Sequence, residues 1–399
     1  MQAADQTLKT GWLLVARREV RRIARRPALW FFVLVFPILI FLMLASIFRV
    51  GVPTDLPVAV VDLDRSALSR QIVQAVDAMP EVSVAQRPLE LAEARQLLLS
   101  GKAYGVVLIP AELERDVRAR RSPEVVVFYN NQFMTPGSTV ARGVQTALAN
   151  VSASIGVSMR VGQGETVHQA MEAANPIPVQ QSPLFNPTLD YVHFLLAALM
   201  PAVLQIFICA ATAYAVALER QKPGGLWIML RLGGGMVPAM LGKLLPYTAI
   251  FAAVLAAGDA LLFYVYGTPF NGSMPLYLAG GLLFILAYQM IGVVIGLAAP
   301  TVPMALGAAG ILTAPALGFI GISFPRLAMG GFATLWSALL PLTWYTDLRV
   351  DQMLRGAPLD ISLSALGALG WAALITVALA AVMLFVRRPR QRILEERAA

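Results

Sequence analysis

Six stretches of the chain stay apolar for roughly the 20 residues a helix needs to cross a bilayer. They are Leu29–Phe48, Val192–Ala217, Leu244–Tyr264, Leu276–Ala299, Val302–Ile322 and Leu363–Val386. Between the first two lies a long segment with a different rhythm. Short apolar runs at Val58–Val61, Val82–Val84, Tyr104–Ile109 and Val125–Tyr129 alternate there with helical patterns at Ser66–Asp77, Glu90–Leu99 and Glu112–Arg120. Strands alternating with helices of about ten residues predict an α/β domain with parallel strand pairs. A further helix is expected over Ser138–Val161, and the proline-bearing stretch Gly162–Pro187 reads as a linker.

Two segments need separate treatment. Leu327–Tyr345 is apolar enough for a seventh crossing, but Gly330, Gly331 and Pro341 suit a bent, re-entrant pair of short helices. In Leu8–Arg26, the residues Leu8, Trp12, Val15 and Ile23 fall near one helical face with arginines over the rest. That pattern predicts a basic amphipathic helix lying along a membrane surface, beyond a plain positively charged flank.

Composition agrees with a membrane protein: 58% of the 399 residues are hydrophobic and 14% charged, against roughly 25% charged in soluble domains. The formal charge of +8 matters through its placement. Lys9, Arg17, Arg18, Arg21, Arg22, Arg25 and Arg26 precede the first span, Arg220, Lys222, Arg231 and Lys243 separate the second from the third, and Arg387, Arg388, Arg390, Arg392 and Arg397 follow the sixth. Positively charged flanks stay inside, so these three regions are expected in the cytoplasm and the large domain outside. The long basic lead, without a small-residue cleavage site after the apolar run, reads as an uncleaved first span.

The expected fold is therefore a polytopic α-helical membrane protein of six transmembrane helices with an inserted α/β extracytoplasmic domain. Its parts are a cytoplasmic amphipathic N-terminal helix (1–28), the first transmembrane helix (29–48), the inserted domain and linker (49–190), and a five-helix transmembrane domain (191–386). That last part holds a cytoplasmic loop (219–243) and an outer re-entrant element (323–362), and a cytoplasmic basic tail (387–399) follows.

Several stretches resemble the permeases of type-2 ABC transporters, in the subgroup with a large extracytoplasmic domain after the first span. Ala59–Ser66 is similar to the strand and acidic turn that open that domain, Gly105–Pro110 to its second strong strand, and Leu184–Pro187 to the element before the second span. Glu219-Arg220 and Gly242–Pro246 bracket the stretch that serves as the ATPase-coupling segment in that family, while Pro341–Tyr345 with Arg349 and Gly356 resembles its re-entrant element. Gly224–Trp227 departs from the Gly-Thr pair common in the family. The resemblance implies a multi-pass permease of the bacterial inner membrane exporting a hydrophobic or amphiphilic compound, such as a drug, a lipid or an envelope component. Its implied partners are a separate ABC ATPase subunit, a second permease in a homodimer or heterodimer, membrane lipid and, as a further option, a periplasmic adaptor; nucleic acid is not among them. The coupling residues it implies are Glu219, Arg220, Lys222, Gly225, Trp227, Gly242 and Lys243.

The chemistry of the chain itself fits that division of labour. A phosphate-cradling loop needs G-x-x-x-x-G-K-[ST]. At Gly101-Lys102 and Gly242-Lys243 the first glycine is replaced by Gln96 and Val237, and the last position by Ala103 and Leu244. No cofactor is expected on this chain, ATP and magnesium belonging to the partner. With one cysteine, Cys209, and two distant histidines, His168 and His193, no metal site is expected, and no catalytic set stands out. Asp62, Asp64 and Ser66 together could suggest a cation site, but Ser66 and Asp64 read as caps of the following helix.

Within the spans Asp259 is the polar outlier. It either lines a translocation path, bonds to a neighbouring helix, or sits at the wet outer rim. Gln205 and Gln289 are further path candidates for which helix-to-helix hydrogen bonding is the plainer role. An alternative function is a membrane-anchored sensor whose outside domain binds a ligand, but six spans with short cytoplasmic parts fit a permease better.

Overall fold

The computed structural model describes residues 10–132, 134–174, 184–187 and 189–396. It divides into two compact units, one formed by Met1–Gly51 with Pro183–Ala399 and the other by Val52–Ser182.

Among the described residues of the first unit, helix α1 (Trp12–Ala24) precedes the first of six helices long and apolar enough to cross a membrane. These spans are Pro27–Ile47, Val192–Gln221, Met236–Val265, Met274–Ala298, Val302–Phe319 and Leu359–Val386. The helix carrying the last span continues to Glu396. The second span is the hub: 72% of its apolar window is buried, against 22% for the fifth and sixth. The fourth span packs on it through Gly292 and Gly296. A side-chain carbon at either position would come within 2.7 Å of the carbonyl oxygens of Cys209 and Ala213. Small residues four apart are how helices in lipid bring their backbones together.

The second unit holds a four-stranded sheet in the order β2-β1-β3-β4, formed by β1 (Leu56–Asp62), β2 (Val82–Gln86), β3 (Gly105–Ile109) and β4 (Val126–Tyr129). Strand β1 runs parallel to β2 and β3, and β4 is antiparallel to β3. The connecting helices are α2 (Ala67–Asp77), α3 (Leu91–Leu99) and α4 (Leu113–Arg118), followed by the long α5 (Met134–Val161). Alternate residues of β1 serve opposite faces, as the two-residue period of a strand requires. Val58 and Val60 pack with Ile72, Val73 and Val76 of α2 and with Val140 and Val144 of α5, while Ala59 and Val61 pack with Ala94 of α3.

Ser66 caps α2, its hydroxyl accepting from the Ser69 amide at 3.0 Å. Asp64 instead serves α4, accepting from the Glu114 amide at 3.1 Å. The stretch read as a linker contains a helix, α6 (Val167–Ala174). Thr166 and Gln169 exchange hydrogen bonds at its start, with the Thr166 amide 3.1 Å from the Gln169 oxygen and the Gln169 amide 3.3 Å from the Thr166 hydroxyl. This is a capping box, and buried Ala170 gives the helix an inner face. The remaining linker residues 175–183 lie outside the described residues, as do 1–9, 133, 188 and 397–399.

Back in the first unit, α7 (Gly225–Gly233) joins the second and third spans. The segment Leu327–Tyr345 folds as two short helices, α8 (Gly331–Leu339) and α9 (Pro341–Val350), broken at Leu340, where ψ is 119°.

Candidate functional site

The second span does not stop at Ala217 but carries Glu219 within its helix, and the third begins at Met236, so that Lys243 lies inside it. Both side chains are buried and face a third, Glu19 of α1. The Lys243 ammonium stands 3.1 Å from Glu19 and 3.3 Å from Glu219. Arg22 pairs with Glu19 at 3.0 Å and also with Glu219, and Arg18 donates to Glu219 as well. Burial works against the charge of Arg22, but Glu19 and Glu219 beside it raise its pKa above the ordinary value. Three cations around two carboxylates thus tie α1, the second span and the third into one ionic core. Charges this deep persist only when paired.

The backbone closes around the same core. Gly242 lets α1 approach the third span so closely that a side-chain carbon there would lie 2.2 Å from the Trp12 carbonyl and 2.8 Å from Val15. The Gly11 amide donates to Leu232 at the end of α7 at 2.9 Å. Helix α7 ends in a Schellman turn, Gly234 and Gly235 donating to Arg231 and Leu230, so the chain reverses directly into the third span. Its inner side, Leu226, Met229 and Leu230, packs with Val15, Val216 and Ala239. Its outer side carries exposed Trp227 and Ile228, with the Arg231 guanidinium 5.0 Å over the Trp227 ring.

The sequence-derived coupling residues therefore separate into two groups. Glu219, Lys243, Gly225 and Gly242 are buried and structural to this core, whereas Lys222 and Trp227 are exposed. Arg220 donates to the Ala299 carbonyl at the end of the fourth span. On α1, the buried face is Val15, Ala16, Glu19 and Ile23, and Trp12 lies outside it at 45% exposure. The helix rests on protein through a face that includes an acid, while Trp12, Leu13 and Val20 stay on its exposed side. Sequence reasoning gave no role to Glu19, yet a signal existed: it is the one acid among the basic residues of Leu8–Arg26, and it sits in register with Val15 and Ile23.

Asp259 belongs to a second cluster in the same unit. It accepts from the Arg349 guanidinium of α9 at 2.6 Å and from the Tyr277 hydroxyl at 2.9 Å. Arg349 is fully enclosed and also donates to the hydroxyls of Tyr277 and Tyr345. Of the alternatives for Asp259, the geometry supplies the neighbouring-helix partner, and Asp259 is not the only buried charge in the bundle, as the sequence had implied. Gln205 donates to the Thr313 carbonyl of the fifth span at 3.2 Å, and Gln289 accepts from Thr248 of the third at 2.8 Å. Both glutamines cross-link spans.

Residues 27–382 match the model of the family described as ABC-2 family transporter protein. The chain belongs to this family. Its members are transport permeases, not enzymes, and membership implies an ABC ATPase as partner. The permease is 25% identical over 315 residues to "Inner membrane transport permease YhhJ" of Escherichia coli (strain K12), covering 76% of this chain and 78% of that protein. It is 23% identical over 355 residues to "Probable multidrug ABC transporter permease YbhR" of the same organism, covering 88% and 91%. To "Probable multidrug ABC transporter permease YbhS" it is 22% identical over 287 residues, covering 70% and 71%. With its six candidate spans, the chain is a multi-pass permease of the inner membrane.

Proposed function

We propose that the permease works as half of an ATP-driven exporter and that α7 is where its ATPase docks. The observation carrying this reading is the ionic core beneath α7. Two exposed apolar side chains, Trp227 and Ile228, sit on a short helix whose other face packs on Val15, Val216 and Ala239, the neighbours of the ionic core on α1 and the second and third spans. A push on α7 therefore reaches the second and third spans without an intervening flexible joint. In this reading the termini and α7 are cytoplasmic, the Val52–Ser182 unit and α8–α9 lie at the opposite side, and two permease copies or two related permeases form the pathway.

An amphiphilic cargo fits a cavity of ≈ 530 Å³ between the first, second and fifth spans. Its lining combines the charged Arg25 and Arg26 with the largely apolar Phe32, Tyr214 and Leu306. The printed names of two relatives, which call them multidrug permeases, favour outward movement of such compounds.

The test is to replace Trp227 and Ile228 together by serine in the full chain. The fold should survive, because both side chains are exposed. Co-purification of the ATPase should fall at least tenfold and export should be lost. Undiminished complex formation and export by this variant would remove α7 as the docking element.

A further inference from the structure

The Val52–Ser182 unit contains a crevice unrelated to the ionic core. Strand β1 hands the chain to α2 on one face of the sheet, and β2 hands it to α3 on the other. These two loops leave the carboxyl ends of neighbouring parallel strands toward opposite faces of the sheet, and a gap remains between them. Here the gap is a cavity of ≈ 250 Å³. Arg65 enters it from the β1–α2 loop, Arg70 from α2 and Arg87 from the β2–α3 loop.

The charges in this wall do not cancel. Its one acid, Asp62, is already engaged by the Asp64 and Arg65 amides at 3.1 and 2.9 Å and by the Ser69 hydroxyl at 2.8 Å. Among the described residues none of the three arginines forms an ion pair, and Arg70 reaches only the Arg65 carbonyl, at 3.0 Å. By contrast Arg115, Arg118 and Arg121 of the same unit all pair with neighbouring acids. Arg65 is held in the left-handed region (φ 52°), which a residue with a side chain seldom adopts. Three exposed guanidiniums thus line one crevice, and among the described residues none of them meets an acid.

We propose that this crevice is a binding site for a phosphate group carried by a small molecule. The guanidinium fork matches phosphate oxygens two at a time. Valines 60 and 73 and Leu89 in the same wall offer apolar contact to the rest of the ligand. The site is separate from the cavity beside the first span and stands whichever way cargo moves.

The full-length permease in detergent, titrated calorimetrically with glycerol 3-phosphate, should bind one equivalent. Arg65→Ala and Arg87→Ala should each weaken binding about tenfold or more. Arg87→Lys should recover only part of this, since lysine keeps the charge and loses the fork. Arg142→Ala, at an exposed arginine outside the crevice, should change nothing and thereby excludes a general charge effect. Thermal unfolding of each variant should match the parent, because these side chains are exposed. A parallel arm places the protein in nanodiscs with and without phosphatidic acid: loss of affinity for the soluble probe only with phosphatidic acid identifies a lipid headgroup as the natural source, and no difference identifies a free solute. Absence of binding, or equal binding by all the arginine variants, overturns the proposal.

Discussion

At the scale of single residues, the firmest expectations come from charges that the fold buries in pairs. Removing one member of such a pair strands the other, at a cost of about 3–5 kcal/mol, whereas removing both together costs much less. Asp259→Asn leaves the enclosed Arg349 unopposed and should lower the unfolding temperature of the purified permease markedly. The double replacement Asp259→Leu with Arg349→Met should recover most of that loss. If Asp259→Asn unfolds like the parent, the pair contributes nothing to the fold. Asp259 stood out in the sequence because a carboxylate in an apolar helix needs a reason. Its partner lay 90 positions away in a segment recognised for its bends, and no local pattern joins the two. Glu219 and Lys243 show the same limit from the other side. Taken singly, each charge reads as the end of a span, and only their mutual neutralisation lets both spans run on.

Elements were legible where the pattern was local. The four apolar runs of the inserted segment fall on β1 to β4, and the helical patterns between them fall on α2, α3 and α4. The six apolar stretches match the candidate spans, with ends shifted wherever a buried charge prolongs a helix. Helix α6 was passed over because prolines on its C-terminal side dominated the reading, although Thr166 and Gln169 already spelled a capping box. The attitude of α1 depends on a glycine belonging to another helix, and no reading of α1 alone contains it. Gly242→Val places carbon atoms inside the Trp12 carbonyl and Val15, and overpacking of this kind costs about 1–3 kcal/mol. The expected result is a loosened α1, seen as faster tryptic cleavage at Arg17 and Arg21, with the β-sheet unit unaffected. Parental cleavage rates would mean that the close approach does not hold α1 in place.

For the whole molecule, the distribution of lysine and arginine predicts which parts share a compartment. In a Cys209→Ala background, cysteines at Arg17, Lys222 and Arg392 should stay unlabelled by a membrane-impermeant thiol reagent in intact cells, while one at Lys102 should react. Labelling at position 392 would require an odd number of crossings and overturn the six-span arrangement. An orientation can be expected from charge placement alone; the route of force cannot, since it depends on which helices can slide. The glycine seam of the fourth span decides that. Gly292 and Gly296 rest against carbonyl oxygens of the second span, so a shift along the seam drives backbone into backbone. Over this seam the two helices travel together. Beyond it the second span runs on to Val192, roughly 40 Å from Glu219 at 1.5 Å per residue, past Pro201 and the π-helical turn Val192–Leu196, where a helix can bend. A stroke delivered at Glu219 would therefore carry the fourth span with the second at Cys209 and Ala213, and Pro201 would decide how much of it travels further.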